Sequence, residues 1–232
     1  DELSGISAKT GQKFYLSETG ICAPINIPFE IGDYQLYGKE QSDDAVYLKR
    51  QYEKFHMDWQ RWNLSDCWVN PEDYFTDAYK TAATLRETAE TAIRSNPFVI
   101  SYTPTMGVAD SYGGAGVATG FRRLKPELIG SVLLANTSLR CCLSTEPQSI
   151  YRDNQIQLRV SFSNLDVLRA GKYPATIQVF DPDLKPVFEK KVWVNIPEAK
   201  DGAEPPFAQV ILTEDITISG PAGKYQFLAT LD

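Results

Sequence analysis

Near Ser138 the period of the hydrophobic pattern changes, and that change limits the folds open to this chain. Upstream, apolar residues recur three and four apart. One run is Ala45, Leu48, Tyr52, Phe55, Trp59 and Trp62; the next is Phe75, Ala78, Ala82, Leu85, Ala89 and Ile93. Such spacing lines one face of a helix. Downstream, apolar and polar residues alternate, most cleanly over 155–160 and 191–196. Alternation is the mark of a half-buried strand. Runs at 138–143, 155–163, 173–180, 187–196, 208–212, 215–219 and 224–231 read as short strands. Turn signals separate several of them: Ala170-Gly171, Asp181-Pro182-Asp183 and Gly220-Pro221-Ala222-Gly223. Many short strands with such punctuation predict an immunoglobulin-like β-sandwich over 137–232. Val160, Val179, Trp193 and Phe227 are its expected core.

The first part, 1–136, has a different organisation. Ser42 is a natural N-cap, followed by Asp43 and Asp44 in the first helical turn. Asn70-Pro71 opens the second helix and Asn96-Pro97 stops it. On either side of the helices lie two apolar runs, Phe14-Tyr15-Leu16 and 98–102, which read as strands buried on both faces. A strand, a helical excursion and a second strand make a βαβ unit with parallel pairing. The stretches after these strands, 21–38 and 103–120, are rich in Pro and Gly and read as long loops, a common place for function. A short helix follows over 126–134, with Ile129, Val132 and Leu133 expected inside. The fold class is therefore α/β followed by all-β.

Glu18 ends the first apolar run, just before Thr19-Gly20. A carboxylate at the C-terminal end of a buried strand sits where α/β barrels build their chemistry. The plainer reading is a solvated strand-end acid, or one paired with an Arg. Ser-Glu-Thr-Gly at 17–20 is followed by Asn96-Pro97-Phe98-Val99-Ile100-Ser101-Tyr102-Thr103-Pro104, by Gly113-Gly114-Ala115-Gly116 and by Gly120-Phe121-Arg122-Arg123-Leu124-Lys125-Pro126-Glu127. In that order, with a strand-rich tail, the chain resembles the C-terminal part of a glycoside hydrolase family 2 enzyme. Arg-Arg-x-Lys-Pro is the more specific of these motifs. The resemblance implies that 1–136 is the end of a (β/α)8 barrel, its last two βα units, and that 137–232 is an accessory sandwich. It places the nucleophilic glutamate of a retaining β-glycosidase on Glu18 and takes the acid/base glutamate from an earlier strand, upstream of Asp1. Family members commonly carry a Trp on the eighth strand as the floor of the sugar site; here Ser101-Tyr102-Thr103 stands there, and Tyr102 is the expected stacking ring. Tyr34, Tyr37 and Asp110 lie on the loops that would face the sugar. Asp110 also reads as a turn-forming residue beside Ser111.

A retaining glycosidase needs two carboxylates about 5 Å apart. Glu30, Asp33, Asp66 and Asp110 are loop acids by this reading, and nothing in their spacing marks one as the proton donor. The single His, His56, falls one position off a helical stripe and reads as a helix-edge residue. With one His and four Cys, none in a Cys-x-x-Cys, neither a metal site nor a cofactor is expected. Buried free thiols are the expected state of the cysteines. A net charge of −7 argues against a nucleic-acid partner, and no apolar run is long enough to span a bilayer. No signal peptide heads the sequence, so Asp1 reads as a cut. The expected partners are a carbohydrate substrate and either the rest of the barrel or another copy of the chain, because two strands cannot close a barrel. A secreted or periplasmic location is expected, otherwise a cytoplasmic one. The alternative is a non-catalytic β-sandwich module that binds a glycan or a partner protein.

Overall fold

The computed structural model describes residues 9, 12–20, 23–105, 107–108, 113–198 and 207–232. The chain is mixed helix and sheet, and its described strands form no closed barrel. In order they give β1 (Phe14–Thr19), α1 (Ile27–Leu36), α2 (Asp43–Arg61), a 3-10 turn (Leu64–Asp66), α3 (Pro71–Arg94), β2 (Val99–Pro104), α4 (Pro126–Ala135) and then β3 to β8. Two compact units result. One holds Leu16–Thr88 and Tyr102–Ala135; the other holds the segment up to Tyr15, Ala89–Ser101 and Asn136–Asp232.

The strand-rich unit carries β3 (Leu139–Glu146), β4 (Gln155–Asn164), β5 (Gly171–Phe180), β6 (Pro186–Ile196), β7 (Ala208–Thr217) and β8 (Gln226–Leu231). They form two three-stranded antiparallel sheets, ordered β3-β4-β7 and β6-β5-β8. Inward residues of both sheets share one cluster: Leu158 and Val160 on β4, Ile177 and Val179 on β5, Leu212 and Ile216 on β7. The expected runs at 208–212 and 215–219 are largely one strand, because Thr213 and Glu214 stay paired with Arg159 and Leu158. Trp193 is not core. Val192, Val194 and Ile196 take the inward positions of β6, and period two sends Trp193 outward, 65% exposed. Phe227 packs on the cluster and is half-buried. Cys142 is buried and Cys141 half-buried, both as free thiols. Burial pushes both up, Cys141 to about 11, so neither is a nucleophile at neutral pH. Cys67 is an exposed free thiol, and Cys22 lies outside the described residues. The last turn of α3 is tied down here: Arg94 donates to Ser163 Oγ and to the Thr137 carbonyl, and Arg140 donates to Thr91 Oγ1.

In the helical unit, Ser42 caps α2 as its sequence position predicts, accepting from the Ala45 N–H. Ala45, Leu48 and Trp59 are buried, and the Phe55 ring meets Trp59, Tyr74 and Phe75. Trp62, expected on the same stripe, is the C-cap and lies exposed. His56 is exposed at the helix edge against Tyr52. Along α3 the buried seam runs Phe75, Tyr79, Ala82, Arg86 and Glu90, while Leu85 is exposed. A helix period of 3.6 residues carries the seam off the alanine row and onto two charged residues one turn apart. On α4 the buried residues are Leu128, Ser131 and Ala135, one register away from the expected Ile129, Val132 and Leu133. The stretch expected to be a loop at 21–38 contains α1. Asn26 caps it, its Oδ1 accepting from the Phe29 N–H, and Pro28 sits in the first turn. Gly32 and the prolines hide this helix from a propensity reading.

Candidate functional site

β1 and β2 pair as a two-stranded sheet. The Phe14 N–H donates to the Phe98 carbonyl at one end, and the Thr105 N–H donates to the Thr19 carbonyl at the other. The bonds advance in the same direction along both chains, which is a parallel register. Neither strand is buried on both faces. In β1 Phe14, Leu16 and Thr19 are half-buried while Tyr15, Ser17 and Glu18 are exposed; in β2 only Val99 is buried. Glu18 therefore stands at the end of a strand whose main chain is fixed by ladder bonds, with its side chain in solvent. Thr19 Oγ1 adds a bond to the Thr103 carbonyl.

The stretches that leave these two strands meet each other. A Cβ added at Gly20 would lie 3.0 Å from Thr105 Cβ, and one at Gly114 would lie 2.2 Å from the Pro24 carbonyl oxygen. Gly114 is thus held by space: no other residue fits that close to the Ala23–Pro24 main chain. Lys125, 3% exposed, donates from Nζ to the Gly114 carbonyl at 2.6 Å and lies 4.8 Å from the centroid of the Tyr79 ring. Tyr79 Oη in turn accepts from the Asn26 N–H at 3.1 Å. Two carboxylates of α1 complete the arrangement. Glu30 Oε1 accepts from the Gly120 N–H at 3.3 Å, and Asp33 Oδ1 pairs with Arg123 at 3.0 Å. Arg123 also stacks over Phe29, 3.1 Å from the ring centroid. Between these anchors the chain turns tightly, with Arg122 at φ 64° and the Thr119 N–H donating to the Arg123 carbonyl.

Burial governs the electrostatics of this cluster. It pushes the Glu30 carboxyl up, helped by the Asp33 charge and opposed by the Gly120 N–H, Lys125 and Arg123. It pulls Lys125 down to about 8, opposed by Glu30 and helped by Arg86. It raises the Tyr79 phenol to about 12, opposed by the Asn26 N–H. Glu30 and Asp33 are anchors for neighbouring main chain and for Arg123.

Of the residues singled out from sequence, Tyr34 and Tyr37 are brought together, both on Phe121: Tyr34 edge-on at 4.8 Å between centroids, Tyr37 stacked at 5.0 Å. They belong to α1 and its C-cap. Tyr102 lies on β2, half-buried. Asp110 lies outside the described residues. Among the described residues no group of three or more His, Cys, Asp or Glu side chains could hold a metal ion, and no described helix is long and apolar enough to cross a membrane. No protein-family model matches the chain, and no curated protein matches it. Sequence reasoning missed Lys125, Tyr79 and Arg86 as members of a site. The available signal was Arg-Arg-x-Lys-Pro itself: two apart, Arg123 reaches back to Asp33 and Phe29 on α1 and Lys125 to Tyr79 on α3.

Proposed function

We propose that this chain is the C-terminal part of a retaining β-glycosidase of the glycoside hydrolase family 2 kind, with Glu18 as the nucleophile. The observation that carries the reading is the setting of Glu18: an exposed carboxylate at the end of a strand whose last residues are tied to a parallel neighbour. A nucleophile of this class must be ionised, rigidly based and open to the substrate. On this reading the carboxylate attacks the anomeric carbon and the leaving oxygen departs with a proton from an acid/base carboxylate of an earlier strand. A glycosyl ester forms, and water then hydrolyses it. Residues 1–136 are the last two βα units of the (β/α)8 barrel and 137–232 an immunoglobulin-like sandwich. Tyr102 is the stacking floor, and the Tyr34–Phe121–Tyr37 group is an aromatic wall for a carbohydrate. The remainder of the barrel, or a second copy of the chain, covers the open edges of β1 and β2. A secreted or periplasmic location goes with this reading, otherwise a cytoplasmic one.

The test is covalent trapping. In the enzyme complete with its upstream strands, a 2-deoxy-2-fluoro glycoside should esterify Glu18, and peptide mapping would locate the label. Label on any other carboxylate, or full turnover by Glu18→Gln, refutes the assignment. A second reading, a non-catalytic module that binds glycan through its strand-rich part, is favoured by one feature: the exposed indole of Trp193 on β6. An oligosaccharide that quenches Trp193 fluorescence in a chain lacking hydrolytic activity would select it.

A further inference from the structure

We infer that Lys125 is a positioning residue for the strand end that carries Glu18, acting through the main chain of Gly114 and of Ala23–Pro24. Two links of the path are close contacts and the last is the chain itself. The Lys125 ammonium holds the Gly114 carbonyl at 2.6 Å. Gly114 abuts the Ala23 and Pro24 carbonyls so closely that a methyl group would overlap both. Those two residues belong to the connection that leaves β1 immediately after Glu18-Thr19-Gly20. The Tyr79 ring that flanks Lys125 also holds the far end of that connection, through the Asn26 N–H. A buried amine is an expensive way to fix one carbonyl, since burial of a charge opposes folding. A Met would fill the same space without that cost. What Lys supplies and Met lacks is a donor that spans from the start of α4 to the segment following β2. The groups facing this amine are Glu30 on α1 and Tyr79 and Arg86 on α3, with Arg123 and Asp33 beyond Glu30. Glu30 opposes the loss of the proton and Arg86 promotes it. The catalytic consequence rests on the glycosidase reading; the mechanical link does not.

Two measurements separate them. Hydrogen exchange followed by mass spectrometry on the 232-residue chain compares wild type, Lys125→Met and Lys125→Gln; Gln keeps an N–H donor. Lys125→Met should raise exchange at least tenfold in peptides containing Asn26 and the Ala118 and Gly120 amides, all hydrogen-bonded in the folded chain. The 155–164 peptide should be unchanged, and Lys125→Gln should recover part of the protection. Unchanged exchange around Asn26 in both variants overturns the link. A rise of equal size in the 155–164 peptide for both variants also overturns it, since that is a loss of the whole fold. In the complete enzyme, Lys125→Met should lower kcat at least tenfold with KM within twofold, and Lys125→Gln should restore part of kcat. An unchanged kcat overturns the positioning role. A wild-type enzyme that no fluoro-glycoside labels overturns the glycosidase reading instead, and the exchange result then decides the link alone.

Discussion

Replacing Lys125 by Met should change the pH dependence of stability, and its sign follows from the burial. The amine is 3% exposed, and burial brings it from an ordinary value of 10.5 to about 8. Between those values the unfolded chain keeps the proton and the folded chain has released it. The unfolded state then binds more protons, so stability rises as pH increases through that window. The full interval, at about 1.4 kcal/mol per pH unit, comes to roughly 3 kcal/mol; between pH 7 and pH 10 about 2.5 kcal/mol of it should appear. Other groups act in the opposite sense. Tyr79 is raised to about 12 and Cys141 to about 11, so each costs stability as pH climbs from its ordinary value towards its folded one. Burial raises Glu30 from 4.5, so it too costs stability as pH climbs above its ordinary value. Subtracting Lys125→Met from wild type cancels the groups that the substitution leaves alone. The assay is urea unfolding from pH 7 to pH 10, followed by tryptophan fluorescence in a Trp193→Phe background, so that Trp59, Trp62 and Trp68 report the helical unit. Wild type should gain on Lys125→Met by about 2–3 kcal/mol across the range. A difference that stays within about 0.5 kcal/mol would mean that Lys125 keeps an ordinary amine pKa and is solvated, and would refute the buried cluster as described.

Three further outcomes follow from the same contacts. On the proposed glycosidase reading, Glu18→Gln in the protein complete with its upstream strands should cut kcat by about three orders of magnitude or more, and it should leave the urea midpoint unchanged, because the side chain is exposed. Trp193→Ala should cost under about 0.5 kcal/mol of stability, as an exposed side chain does, whereas Phe162→Ala, at 2% exposure in the strand-rich core, should cost about 3–5 kcal/mol by thermal or chemical unfolding. Gly114→Ala should destabilise the helical unit by about 1–3 kcal/mol or more, since its methyl would press on main chain that cannot rotate away; a wild-type melting temperature for this variant would contradict the close approach.

What could be read from the sequence was periodic, and what could not was the choice between two faces of one periodic element. The clean alternation at 155–160 fixed which residues of β4 are inside, because polar Gln155, Gln157 and Arg159 leave one apolar row. On β6 apolar residues occur in both rows, Val192 and Val194 in one and Trp193 in the other, and the size of the indole pulled the reading to the wrong face. Helix α3 failed for a related reason. Its alanine row is a plausible seam, but the actual one includes Arg86 and Glu90, and no pattern of apolar spacing selects charged residues for the interior. The candidate site shows the same division. The position of Glu18 at a strand end was legible because strand ends are local. The cluster around Lys125 was not: it joins residues 26, 30, 79, 86, 114 and 125 across α1, α3 and the segment leading into α4, and each contact depends on two distant segments meeting. The expensive part of that cluster, a buried amine with carboxylates and a phenol around it, lies beside the connection that leaves the Glu18 strand. A chain needing only a stable helical unit would fill that volume with apolar side chains, as it fills the space around Phe75 and Leu48. Polar anchors there give directional bonds that set the main chain in one place, and on the proposed reading of Glu18 as a nucleophile that is what aiming its strand end requires.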